Sequence, residues 1–258
     1  MTEIQRLQVR VFQDLEELSR VAAELITVLS KKSIVSRGRF VVALSGGSTP
    51  HRLYSLLGSP LYRDVIDWSR VYIFWTDERC VSKDHAESNY RLAHDAFLSR
   101  VPLPAQNIHR IRGEDEPGKA AEAYEDELRN FFSGPEAIVF DLIILGVGED
   151  GHTASLFPGS SALDERMRPV VPVYFQEPKI NRVTLTLPVL NHAAQVLFLA
   201  SGRPKAAAVH EIVEDGNPKQ YPAGLVKPLQ GSIMWMIDQE ASSALARPFH
   251  TSVLNEQR

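Results

Sequence analysis

Short apolar runs alternate along the chain with stretches whose apolar residues recur every three or four positions. Gln8–Gln13 (QVRVFQ) alternates with period two, the pattern of a half-buried strand. Asp14 then stands where a helix N-cap belongs. Leu15, Leu18, Ala22, Leu25 and Leu29 follow at helical spacing and predict one long helix. Phe40–Leu44 (FVVAL) and Val71–Trp75 (VYIFW) are continuous apolar runs, as expected of strands covered on both faces. Phe140–Gly146, Gln195–Ala200 and Ser232–Ile237 read as further strands. Helices are expected at Pro50–Leu57, stopped by Gly58, at Ser88–Leu98, at Lys119–Phe132 and at Pro204–Val213, the last opened by its proline.

Alternating strands and helices with doubly buried strands imply an α/β sandwich built on a mostly parallel sheet. Gly159–Pro178 is richer in Pro, Ser and charge and reads as an excursion, not a linker, so residues 1–258 are expected to form one α/β domain. Lys plus Arg number 28 against 32 Asp plus Glu, a formal charge of −4. That balance speaks against a general nucleic-acid binder but leaves room for a local cationic pocket. The single cysteine, Cys80, excludes an internal disulfide and a cysteine metal cluster. The opening MTEIQRLQVRVF lacks the apolar run of a secretion leader. The most apolar stretch, Ile138–Val147, is too short to cross a bilayer, so a cytoplasmic location without membrane contact is expected.

In open α/β sheets ligands bind beyond the carboxyl ends of the strands, which selects four loops. The first, Ser45-Gly46-Gly47-Ser48-Thr49-Pro50, joins a buried strand to a helix. Its glycines permit tight turning, Ser48 or Thr49 is placed to cap the helix, and the free N–H groups favour an anion, typically phosphate. The second, Thr76-Asp77-Glu78-Arg79, puts two acids and a base at a strand end; Asn89 follows at a helix start. The third runs Gly146-Val147-Gly148-Glu149-Asp150-Gly151-His152 and matches G-x-G-x-x-G, yet the ribose-binding acid expected about twenty residues on is not clearly present. Its His152 is a candidate base that the adjacent acid Asp150 would orient or tune. The fourth, Ser201-Gly202-Arg203-Pro204-Lys205, brings Lys205 to the same edge, and Arg182 opens the strand-like RVTLTLP.

Taken in order, ALSGGSTP, FWTDERCV with HAESNY, FDLIILGVGEDGHTASLFPG, RVTLTLPVLN and SGRPKA resemble the 6-phosphogluconolactonase branch of the glucosamine-6-phosphate isomerase/6-phosphogluconolactonase family across nearly the whole chain. The resemblance implies the three-layer α/β sandwich shared with glucosamine-6-phosphate deaminases and ribose-5-phosphate isomerases. It also implies hydrolysis of 6-phospho-D-glucono-1,5-lactone in the oxidative pentose phosphate pathway. The deaminase relatives usually follow the histidine with I-A-F-N-E-P and place an aromatic residue after the Asp-Glu pair. Here Phe157 stands in place of that glutamate, and Arg79 follows the pair.

On that resemblance the substrate phosphate would sit on Ser45, Gly46, Gly47, Ser48 and Thr49 with Lys205, and His152 would take a proton from water as it attacks C1, with Asp150 or Asp77 orienting His152 or the water. Arg79 would bind the phosphate or stabilise the oxyanion, and the sequence leaves both roles open. Asn89, Gly148 and Arg182 are further contact candidates. The substrate is already an activated ester, so neither metal nor organic cofactor is expected. A dinucleotide-dependent oxidoreductase and a non-catalytic sugar-phosphate sensor are the rival classes.

Overall fold

The computed structural model describes residues 7–133, 138–215 and 220–246. Six strands form one parallel sheet: β1 (Leu7–Phe12), β2 (Phe40–Leu44), β3 (Val71–Trp75), β5 (Leu142–Gly146), β8 (Gln195–Ala200) and β9 (Ser232–Asp238), in the order β1-β9-β8-β5-β2-β3. Every residue of β2 is buried. Successive side chains point to opposite faces, so both faces of the sheet must be covered there, and the fold has three layers. Helices supply the cover: α1 (Leu15–Arg37), α2 (Ser48–Leu57), α3 (Pro60–Arg63), α4 (Asn89–Ala96), α5 (Pro117–Phe132), α6 (Leu187–Leu190) and α7 (Ala206–His210).

Local chemistry sets several boundaries. The Asp14 carboxylate accepts from Glu17 N at 2.9 Å, the expected N-cap of α1, and Gly38 closes the helix at φ 76°. The buried stripe of α1 runs through Leu18, Val21, Ala22 and Ile26, while Leu25 and Leu29 pack half-buried at its rim. Strand β5 begins later than Phe140, because Asp141 is spent on Val41 N (2.7 Å) and Arg37 (2.5 Å). The helix expected over Pro204–Val213 is broken: Arg203–Lys205 forms a 3-10 turn, α7 follows, and Glu211–Asp215 widens into a π turn.

Gly159–Pro178 contains β6 (Val170–Val173), absent from the sequence reading. It pairs antiparallel with β7 (Arg182–Leu185), which pairs with β4 (Asp77–Arg79), making a second sheet of three short strands. Thr76 joins the two sheets. Its N–H donates to Leu44 O and its carbonyl accepts from Leu185 N, each at 2.8 Å. The Tyr124 hydroxyl bonds both Trp75 N and Trp75 O at 2.9 Å, satisfying the edge strand with a side chain. No helix among the described residues is long and apolar enough to cross a membrane.

Candidate active site

From β2 the chain steps to β3 on one side, and later to β5 on the other. This reversal of direction opens a crevice at the carboxyl ends of the strands, where ligands bind in such sheets. A cleft of about 180 Å³ lies there. It is lined by Ser45, Gly46, Gly47, Ser48, Thr49, Asp77, Arg79, Asn89, Gly148, His152, Arg182 and Lys205, so residues from five separate loops and strands meet at one place. Asp150 is the one candidate outside this lining; it stands behind His152, on the wall of an adjoining hollow.

The glycine loop differs from expectation in its cap. Helix α2 begins at Ser48, Gly47 is the N-cap at φ 107°, and no side chain caps the helix. Ser48 and Thr49 lie inside the first turn, too late to cap it. The first N–H groups of a ten-residue helix therefore lack a side-chain acceptor, which leaves the positive end of its dipole open to an anion. Gly46 serves a different purpose. A Cβ there would fall 1.8 Å from Asn89 Oδ1 and 2.7 Å from an Arg79 nitrogen.

Strand β4 carries two acids with separate duties. The Glu78 carboxylate accepts from Asn89 N (2.7 Å), Tyr90 N (2.9 Å), Ser88 Oγ (2.9 Å) and its neighbour Arg79 N (2.7 Å), anchoring the start of α4. Burial pushes its pKa up against those hydrogen bonds. Asp77 is also buried. Its Oδ2 accepts from Ser155 Oγ at 2.7 Å, and Asn89 Nδ2 donates to its carbonyl at 2.8 Å. Asp77 thus ties the second loop to the third, and it is Asp150 that bonds the imidazole. Asn89 donates to Asp77 and accepts from Arg79, so it is part of the cleft wall and not a surface cap.

Arg79 and Arg182 face each other directly across the β4–β7 pair, and Lys205 lines the same cleft. Burial, and after it the charge of Arg79, holds the Arg182 guanidinium below its usual range. Arg182 lies 3.9 Å from Asp77 Oδ2. Ser45 Oγ, Arg79 Nε and Arg182 Nε are buried without a hydrogen-bond partner among the described residues. Like charges opposite one another in a strand pair are unfavourable unless an anion lies between them. A chain of net charge −4 therefore concentrates cations at this cleft.

His152 is held by Asp150, whose Oδ1 lies 2.5 Å from Nδ1 and also accepts from His152 N at 3.1 Å. The carboxylate assigns the proton to Nδ1, leaving the Nε2 lone pair without a protein partner among the described residues. Burial opposes ionisation of Asp150, but the hydrogen bonds to His152 outweigh it and hold the carboxyl below its usual range. Gly148 explains the G-x-G spacing: a Cβ there would sit 2.1 Å from His152 Nδ1 and 2.5 Å from Asp150 Oδ1. The glycine makes room for a His–Asp pair.

Sequence reasoning did not single out Asp238, at the end of β9. Its carboxylate accepts from Ser201 Oγ (2.5 Å) and Gly202 N (3.1 Å), fixing the loop that delivers Lys205. Ser155, the anchor of the third loop, was likewise overlooked; no periodicity marks either residue. Burial first, then the charges of Glu78 and Glu116, push the Cys80 thiol up to about 11, which disfavours its thiolate.

The profile of the family described as "Glucosamine-6-phosphate isomerases/6-phosphogluconolactonase" matches residues 13–235. The chain is 41% identical over 248 residues to the 6-phosphogluconolactonase of Homo sapiens, covering 93% of this chain and 95% of that protein. It is 40% identical over 242 residues to the 6-phosphogluconolactonase of Synechocystis, covering 92% of this chain and 98% of that one. The solved structure of 6-phosphogluconolactonase from Trypanosoma brucei superposes with a TM-score of 0.83 at 29% identity, covering 94% of this chain and all of that one.

Proposed function

The chain belongs to the glucosamine-6-phosphate isomerase/6-phosphogluconolactonase family, and on that premise we propose that it hydrolyses 6-phospho-D-glucono-1,5-lactone to 6-phospho-D-gluconate, with His152 as the base. One observation carries the reading. An imidazole with its Nδ1 held by a carboxylate at 2.5 Å shares a cleft with an uncapped helix start and three cationic side chains.

The phosphate binds at the start of α2 on Ser45, Gly46, Gly47, Ser48 and Thr49, with Lys205 neutralising charge. This anchor is remote from the reacting carbon, so its binding energy fixes the lactone carbonyl relative to His152. Nε2 takes a proton from water as the water oxygen attacks C1. The carbonyl electrons move onto the exocyclic oxygen, where Arg79 or Arg182 faces the negative charge. When the intermediate collapses, the C1–ring-oxygen bond breaks and the imidazolium returns its proton to the leaving oxygen. Asp150 stabilises that imidazolium. General acid–base catalysis of this kind contributes about 10²–10⁴-fold. No step asks for a metal or an organic cofactor, and the substrate is the small-molecule partner. A cytoplasmic location and a single domain over residues 1–258 accompany the proposal.

The carbon face of Phe157 against His152 favours this reading over deamination, because no carboxylate from that position reaches the imidazole. The test is hydrolysis of freshly generated 6-phosphogluconolactone, read through added 6-phosphogluconate dehydrogenase with spontaneous hydrolysis subtracted. Acceleration that collapses in His152→Ala supports both the reaction and the base. Absence of acceleration by the wild type refutes the lactonase reading, and glucosamine 6-phosphate becomes the next substrate to try.

A further inference from the structure

The loop that presents His152 turns back on itself. Thr153 and Leu156 form an isolated antiparallel bridge, with Leu156 N donating to Thr153 O at 2.9 Å. Ala154, between them, sits at φ 48°, in the left-handed region that non-glycine residues seldom occupy. Such a conformation persists where its surroundings over-determine it. Here Ser155 is anchored twice, by its N–H to Thr184 Oγ1 (3.2 Å) and by its hydroxyl to Asp77 (2.7 Å). The turn lays Phe157 over the imidazole. The ring centroids are 4.3 Å apart with planes inclined by 26°. Phe175 backs Phe157 edge-on at 5.2 Å and 87°.

We propose that Phe157 is a positioning residue that clamps the plane of the His152 imidazole. The proposal rests on the reading of His152 as the base. A histidine χ2 torsion is broad, so the single hydrogen bond from Nδ1 to Asp150 fixes one atom of the ring and leaves its plane free to rock. A flat aromatic face removes that second freedom and aims Nε2 at the cleft. The same face favours the cation formed once Nε2 holds the proton from water. Asp150 bonds Nδ1, the Arg182 Cζ lies 5.9 Å from the Phe157 centroid, and Glu87 and Lys179 line the same hollow as Phe157. Phe157 presents only carbon, so it offers Nε2 no competing acceptor.

Phe157→Leu is expected to lower kcat about ten- to a hundredfold while KM stays within about twofold, because the base is misaimed and the phosphate anchor is untouched. Phe157→Tyr keeps the ring face and should restore kcat to within about threefold of wild type. In wild-type protein without substrate, the His152 Hε1 resonance should show the upfield ring-current shift of a stacked ring, lost in Phe157→Leu. If the leucine variant has no cooperative melt, Phe157→Met replaces it. Unchanged kcat in the aliphatic variant, a loss expressed only in KM, or an unshifted wild-type Hε1 each overturns the clamp. A wild type inactive on the lactone refutes the proposed reaction instead, and the ring-current shift still decides the stack.

Discussion

Gly148→Ala isolates the geometry on which the site depends. The new Cβ would lie 2.1 Å from His152 Nδ1 and 2.5 Å from Asp150 Oδ1, where ordinary contact begins at 3.4 Å. The imidazole must therefore retreat by more than an ångström, and the 2.5 Å hydrogen bond to Asp150 cannot survive that movement. Gly148 is not among the glycines with positive φ, so the backbone accepts alanine and the conflict is steric. His152 is only half-buried and Asp150 more exposed, so the pair swings outward without opening the core. A displacement of about 1 Å in a catalytic group costs about 10²-fold in rate. The expected result is kcat lower by about a hundredfold, KM within a few-fold, and a melting temperature within about 3 °C, equivalent to under about 1 kcal/mol. Steady-state kinetics by the coupled assay and a thermal melt of the same sample measure all three. Wild-type kcat in Gly148→Ala would refute the account of why this loop needs glycine, and the role of the His–Asp pair with it.

Two further outcomes follow from the same arrangement. Lys205→Ala should lower kcat/KM for the phosphorylated lactone by about tenfold, and leave hydrolysis of unphosphorylated gluconolactone unaffected; equal losses on both lactones would remove Lys205 from the phosphate site. The Asp150 carboxyl is held below its usual range in the folded chain, so it contributes stability that is present above its unfolded pKa and lost as pH falls through the folded one. Urea midpoints of wild type and Asp150→Asn should therefore converge as pH drops from 6 to below about 4, and a gap constant with pH would contradict the linkage.

The main strands were legible because FVVAL buries every residue and VYIFW all but the half-buried Tyr72, and such continuous apolar runs need no tertiary information. The α1 N-cap was legible for a similar reason, since Asp14 bonds an amide only three residues away. Strand β6 was not. VVPV is short, contains a proline and lies in a polar stretch, and only its partner β7 makes it a strand. The expected serine or threonine cap of α2 also failed, because the helix starts at Ser48, ahead of the start that Pro50 implies.

By itself the sequence determined which loops end strands, and so which residues could meet a ligand: His152, Asp150, Arg79, Lys205 and the glycine turn were all readable from strand–loop order. Only the tertiary structure decided how they divide the work. The sequence offers both Asp77 and Asp150 to orient His152 or the water; in the structure Asp77 is spent on Ser155, 78 positions along the chain, and Asp150 holds the ring. Arg79 and Arg182 become a facing pair only through the register of β4 against β7. Periodicity reports whether a side chain faces the core. Which polar partner it meets there depends on strand order and register, and those emerge only when distant segments pack together.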